Sequence, residues 1–255
     1  MARFSANLGF LWSDKPLLDR IELAAKSGFT AIELHWPYDT PAQSVRDACQ
    51  RLGLKLLAAN TPLGNTQIGE SGLAALPGRE QDFKSTFESS LQWCLTAGAC
   101  AMHVMPGVVE QNADSIRTMV NNLQWASKQV PAGFTLLLEA INPRDKPGYF
   151  YSTQAQSNAI REQTGCDNVK LMFDVYHVGV AEGDILTKLA KYMPHIGHIQ
   201  IAAVPTRAEP DEGEVNYRVV IDAIDRLGYQ SWIGAEYKPR ASVEAGLDWM
   251  KAYRA

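Results

Sequence analysis

The sequence predicts a closed parallel (β/α)8 barrel, one domain over residues 1–255, and three observations carry that reading. Short runs rich in β-branched and aromatic residues alternate along the whole chain with longer segments whose apolar residues recur at helical spacing. Eight of each fit into 255 residues, the count and length of a single α/β barrel. Glycines stand where helices must stop and turn toward a strand, at Gly28, Gly53, Gly98, Gly165 and Gly228.

Taken in order, the first strand covers 4–10 and the first helix 16–27, closing at the Ser-Gly-Phe junction. A second strand at 31–36 (AIELHW) precedes a helix at 41–52 that ends on Leu-Gly-Leu. The third strand, 55–61, is followed by the longest irregular stretch, 62–80, with four glycines. A loop of that length after a barrel strand is expected to act as a lid or a binding loop. Helix 81–97, strand 99–105 and helix 113–129 come next, then strand 135–141 and helix 153–164. Strands at 169–175, 196–202 and 232–237 alternate with helices at 184–192, 216–227 and 242–253.

Composition narrows the function. Hydrophobic residues are 46% and charged residues 20% of the chain, an ordinary globular balance. No uncharged apolar run is long enough for a membrane span, and the N-terminus lacks a basic region followed by an apolar stretch, so the expected location is the cytoplasm. The net charge is −4 with no basic stripe, which argues against a nucleic-acid partner. Cys49, Cys94, Cys100 and Cys166 are scattered without a CxxC pair and read as reduced packing thiols. A homo-oligomer is compatible with the fold, although no apolar patch in the sequence marks its interface.

Active sites of such barrels lie at the C-terminal ends of the strands. By the two-residue period, Leu136 and Leu138 face the helices while Glu139 points inward; Leu171 and Phe173 do the same for Asp174. Ile199 and Ile201 bracket an inward Gln200, and Ile233 and Ala235 set Glu236 inward. Three carboxylates converging in a barrel mouth would repel one another or protonate unless a cation neutralised them. Oxygen donors without cysteine favour Mg²⁺ or Mn²⁺ over zinc. The four positions are separated by 35, 26 and 36 residues, close to successive βα repeats, so adjacent strands supply one ligand each.

Further candidates follow the same strands. His177, three residues after Asp174, can hold a substrate oxygen, and the Arg207 guanidinium can grip a carboxylate. Lys238 shares the parity of Glu236 and is a second candidate for a carboxylate. Asn7, Glu33, His35, Asn60 and His103 point inward as either core or site residues, and His198 reads as a deeper support for Gln200.

The segments RFSANLGFLW, GFTAIELHWPYD, ALPGRE, LLLEAINPRDKPGYF, KLMFDVYHV, IGHIQIAAVPTRAEPDEGEVNY and WIGAEYKP run in order along nearly the whole chain. On these segments the sequence resembles the hydroxypyruvate isomerase family within the xylose-isomerase-like TIM barrels. The resemblance implies a metal held by Glu139, Asp174, Gln200 and Glu236, with the two glutamates as the acid/base pair. It also implies aldose-ketose-type isomerisation of a small 2-oxo-3-hydroxy acid through an enediolate, hydroxypyruvate to tartronate semialdehyde. The related keto-sugar epimerases usually place His at the third ligand, so Gln200 favours the isomerase branch. Asn60 and the His35-Trp36 pair border the substrate at positions that vary within the family, which leaves acyl chain length open. A 2-oxo-tetronate isomerase, one carbon longer in substrate, is the alternative; a sugar epimerase or dehydratase and a non-catalytic sugar-binding barrel follow. The expected partner is a small sugar acid.

Overall fold

The computed structural model describes residues 2–253. Its strands are β1 (Arg3–Asn7), β2 (Ala31–Glu33), β3 (Lys55–Leu56), β4 (Ala58–Asn60), β5 (Ala101–His103), β6 (Thr135–Glu139), β7 (Val169–Asp174), β8 (Ile196–Ile201) and β9 (Trp232–Ala235). They form one parallel sheet in the order β3-β2-β1-β9-β8-β7-β6-β5-β4. β3 and β4 are the two halves of the third strand expected at 55–61, joined at Leu57. The Leu57 N–H donates to Ile32 O at 2.9 Å, while its carbonyl accepts from Ala101 N–H at 3.0 Å on the other side. The sheet closes at this seam, where Leu34 N–H donates to Ala58 O and Asn60 N–H to His35 O.

Around the barrel lie α1 (Leu17–Lys26), α2 (Ala42–Leu52), α3 (Glu80–Ala97), α4 (Ala113–Gln129), α5 (Gln154–Thr164), α6 (Val175–Ala181), α7 (Ile185–Tyr192), α8 (Tyr217–Arg226) and α9 (Val243–Gly246), the last continued by a 3₁₀ helix over Leu247–Tyr253. α6 is absent from the sequence reading. β7 runs into it without a loop because Asp174 is itself the cap, its Oδ1 accepting the Tyr176 N–H at 2.8 Å. The helix expected at 242–253 is one α turn followed by 3₁₀ geometry. Strand ends also fall short of expectation; β1 stops at Asn7, whose Oδ1 accepts the Gly9 N–H and turns the chain.

Two apolar layers hold the barrel. Leu136, Leu138, Leu171 and Phe173 pack outward against the helices in the main core, whereas Leu137 and Met172 meet Ala58 and Ala101 in a separate cluster inside the barrel. The alternation is the two-residue period of the strands made visible, and it leaves the strand ends above the inner plug for polar groups. Gly234 keeps that interior open: a Cβ there would lie 2.4 Å from Glu33 Oε1 and 2.9 Å from Gln200 Cγ. All four cysteines are free, Cys49 and Cys94 buried in α2 and α3. Among the described residues no helix is long and apolar enough to cross a membrane.

The stretch 62–80 is a packed wall with an exposed tip. Leu73, Ala74 and Ala75 are buried, Ala75 N–H donates to Pro106 O, and Asn122 Nδ2 donates to Ala74 O. Arg79 pairs with Glu70, whose Oε2 also accepts the Asn65 N–H.

Candidate functional site

At the C-terminal mouth of the barrel lies a cavity of about 210 Å³. Glu139, Glu236, His177, Arg207 and Asn60, all expected in the site, line it, together with His35, His103, Phe10, Trp36, Leu63, Ser71, Asp145 and Lys146. Asp174 and Gln200 are buried ladder partners on β7 and β8. Lys238 is the exception. It is exposed and outside the cavity lining, because β9 ends at Ala235 and the chain turns so that Lys238 N–H donates to Arg207 O at 2.7 Å. Strand parity therefore stops before it applies to Lys238.

Glu139, Asp174 and His177 each offer a ligand atom within 4.8 Å of the others, a group able to hold a metal ion. Hydrogen bonding removes His177 from that set as a donor of electrons. Its Nδ1 accepts from the Asn142 backbone N–H at 3.3 Å and lies 2.7 Å from Asn142 Nδ2, so the proton resides on Nε2. That Nε2–H faces Glu139 Oε1 and Asp174 Oδ2, each at 3.6 Å. Burial, reinforced by Arg207, holds the His177 pKa well below its ordinary value, so the ring is a neutral hydrogen-bond donor.

Acid oxygens in the site lack partners. Asp174 Oδ2, Glu236 Oε2 and Gln200 Oε1 are buried without a hydrogen bond. Burial, then the charges of Glu236 and Asp174, push Glu139 well above the usual carboxylate range. Burial and Glu236 push Asp174 up to about 7. A buried oxygen without a donor costs roughly 1–3 kcal/mol, more if charged. Three such atoms on one carboxamide and two carboxylates, beside Glu139, fit a hard divalent cation, which takes oxygen ligands.

Gln200 is fixed by a different group. Its Nε2 donates to Glu33 Oε2 at 2.9 Å, which leaves Oε1 as the free end. Glu33 in turn accepts from Ser5 Oγ and sits 2.9 Å from His198 Nε2. Burial alone would raise the Glu33 pKa, but His198, Ser5 and Gln200 outweigh it and hold the carboxylate below its ordinary value. Of the residues left open between core and site, Glu33 and His198 support Gln200, and Asn7 shapes a turn. His35 bonds Glu236 Oε1 at 3.1 Å, and His103 Nδ1 stands 3.4 Å from Glu139 Oε2. Burial and His35 push His103 down to about 3, so it too is neutral.

Arg207 is a built-in cation of the mouth. Its backbone has a φ of 59°, held by its N–H donating to Ala203 O and its carbonyl accepting from Lys238 N–H, both at 2.7 Å. Its guanidinium donates to Asp145 Oδ2 at 3.1 Å, lies 3.6 Å from Glu236 Oε1, and is sandwiched by the Phe10 and Tyr176 rings at 4.8 and 4.9 Å. Asp145, Lys146 and Asn142 were missed by sequence reasoning. They sit in the turn after β6, where no strand or helix period marks which way a side chain points.

The fold and site together are those of a parallel barrel with a buried acid cluster, able to hold a metal ion, at its C-terminal mouth. The chain belongs to the xylose isomerase-like TIM barrel family, whose model matches residues 21–253. It is 44% identical over 99% of both chains to the 2-oxo-tetronate isomerase of Cupriavidus necator, and 39% identical over the full length of both to that of Haemophilus influenzae. The hydroxypyruvate isomerase of Escherichia coli is 34% identical, again over the full length of both. The crystal structure of an AP endonuclease, family 2, from Brucella melitensis superposes over all of both chains with a TM-score of 0.95 at 35% identity. The E. coli 3-keto-D-glucoside 4-epimerase shares the fold at a TM-score of 0.79 and 17% identity over 99% of both chains. These full-length curated relatives are isomerases.

Proposed function

We propose that this protein is a divalent-metal isomerase of a small 2-oxo-3-hydroxy acid, with 2-oxo-tetronate as the preferred substrate and hydroxypyruvate as the shorter alternative. The supporting observation is the set of unpartnered oxygens on Asp174, Gln200 and Glu236 beside Glu139. The relatives at 44% and 39% identity carry the longer substrate in their names, which orders the two.

Glu139, Asp174, Gln200 and Glu236 would hold Mg²⁺ or Mn²⁺, which supplies Lewis acidity toward a carbonyl and its neighbouring hydroxyl. The remaining work falls to the chain. One of Glu139 and Glu236 removes the proton from C3, the carbon bearing the hydroxyl, and the other delivers a proton to C2. The hydroxyl proton passes from the C3 oxygen to the C2 oxygen, so the carbonyl moves by one carbon with no net oxidation. The charge of a bound divalent cation would favour the ionised form of Glu139, the form that can act as a base. The His177 Nε2–H donates to a substrate oxygen, and the Arg207 guanidinium stabilises negative charge as the enediolate forms. Phe10, Trp36, Leu63 and Met105 supply an apolar rim that limits water at the reacting carbons.

The test is proton NMR in D₂O with 2-oxo-tetronate and with hydroxypyruvate, on metal-free and on Mn²⁺-loaded protein. Metal-dependent appearance of the isomer, with deuterium at the carbon that receives the proton, is the expected result. Loss of water from the substrate would make it a dehydratase instead, and incision of abasic DNA without isomerisation would favour the activity named for the Brucella structure. Binding without turnover, in protein with both glutamates intact, would leave a sugar-acid binder.

A further inference from the structure

Every substrate considered under the proposed function carries a carboxylate, and the inference below rests on that reading. The floor beneath the cavity is acidic, so the carboxylate end of a substrate is repelled from it and needs a cation nearer the opening. Among the described residues two permanent cations line the cavity, Arg207 and Lys146. Arg207 is hemmed in: one guanidinium nitrogen donates to Asp145, another stands 3.6 Å from Glu236, both faces of the plane are covered by aromatic rings, and its unpartnered Nε is buried rather than open to the cavity. Asp145, the acid adjacent to Lys146 in sequence, accepts from Arg207 at 3.1 Å and from the Tyr176 hydroxyl at 2.9–3.0 Å. Lys146 forms no ion pair within 4 Å of any described acid, although it is one of the residues of the cavity wall.

Its position is fixed by the same turn that orients His177. Lys146 N–H donates to Asn142 O at 3.1 Å, Tyr149 N–H donates to Lys146 O at 3.3 Å, and Asn142 holds the His177 ring through Nδ1. The lysine is thus half-buried on a pinned backbone and lines the same cavity as His177.

We infer that Lys146 receives the substrate carboxylate, and that it makes this barrel select an acid over the neutral ketose of the same length. Lys238, the other candidate for that role, lies outside the cavity. A lysine suits the task because its ammonium presents three donors from a flexible stem and can follow the carboxylate of either a three- or a four-carbon acid.

The experiment uses wild-type, Lys146→Met and Lys146→Arg proteins loaded with Mn²⁺. It measures KM and kcat for 2-oxo-tetronate and the inhibition constant of erythrulose, the ketose with a hydroxymethyl group where the acid has its carboxylate. Loss of a charge-assisted hydrogen bond predicts a rise in KM on the order of 30-fold in the Met variant, with kcat changed no more than about threefold. The erythrulose inhibition constant should stay within about twofold in all three proteins, and arginine should restore most of the affinity for the acid. Equal weakening of acid and ketose would assign Lys146 a merely structural part and overturn the inference. An unchanged KM in the Met variant, or the same loss produced by Lys238→Met alone, would also overturn it. Failure of wild-type protein to turn over either 2-oxo-tetronate or hydroxypyruvate would instead sink the functional reading on which the inference stands.

Discussion

Two clusters of buried acid share this barrel mouth, and the protein treats them in opposite ways. Glu33 has all its needs met by Ser5, His198 and Gln200, and its pKa is held down. Glu139 and Asp174 are as deeply buried, yet Asp174 Oδ2 has no partner and both carboxyls are pushed up. Gln200 touches both clusters, giving its N–H to the satisfied one and leaving its carbonyl oxygen for the other. A chain able to pair one buried acid completely had the means to pair the rest. The unpaired set is therefore read as a site whose missing partner is a ligand, and it is electrostatically unstable without one.

The largest test of that contrast is stability against charge removal. Glu33→Gln breaks a buried pair and should destabilise the fold by roughly 4 kcal/mol in urea titrations, with or without metal. Asp174→Asn should do the reverse in metal-free protein at pH 8, raising stability while keeping an oxygen to cap α6. The sign follows from the folded pKa of about 7 lying above the ordinary 3.8. Such a group opposes folding once it ionises, so metal-free wild type loses stability as pH rises from about 4 to about 7 and levels off above. Over that window the cost from Asp174 is at most roughly 4 kcal/mol. Added Mn²⁺ should cancel the loss, and the rise in Tm on adding metal should grow with pH. A pH-independent gap between metal-free and loaded protein would break the contrast.

Chemistry distinguishes the clusters next. Glu139→Gln and Glu236→Gln should each lower kcat by more than about a hundredfold, about 3 kcal/mol of barrier, with the fold intact by circular dichroism. Near wild-type turnover in either variant would remove the two-glutamate proton transfer.

What the sequence made legible follows from where periodicity operates. Leu136 and Leu138 against Leu137, and Leu171 and Phe173 against Met172, reveal the two faces of β6 and β7, so Glu139 and Asp174 could be placed inside the barrel from alternation alone. The same period located Gln200 and Glu236. It failed where the ladder ends. Lys238 was assigned by parity beyond Ala235, where the chain has already turned to bond Arg207, and Lys146 lies in a turn with no period to read. α6 escaped because no Gly or Pro separates it from β7; its cap is Asp174, already accounted for as an inward acid. The division of inward acids into Glu33, with partners on both oxygens, and Asp174, with Oδ2 unpartnered, was also invisible, since it depends on contacts such as Ser5 to Glu33 between neighbouring strands.

That last contact gives the finest test. Ser5 is fully buried on β1, and its hydroxyl donates to Glu33 Oε1 while Gln200 and His198 meet the other oxygen. Ser5→Ala removes one of the three groups on Glu33 and nothing that lines the cavity, so it should cost about 1 kcal/mol of stability. The loss should appear equally in metal-free and loaded protein, because Glu33 keeps His198 and Gln200 and the carboxamide keeps its orientation. Affinity for Mn²⁺, followed by titration calorimetry, should then change by less than about threefold. If Ser5→Ala instead weakened Mn²⁺ binding tenfold or more, the two clusters would act as one electrostatic unit, with Gln200 transmitting the state of Glu33 to the site above it.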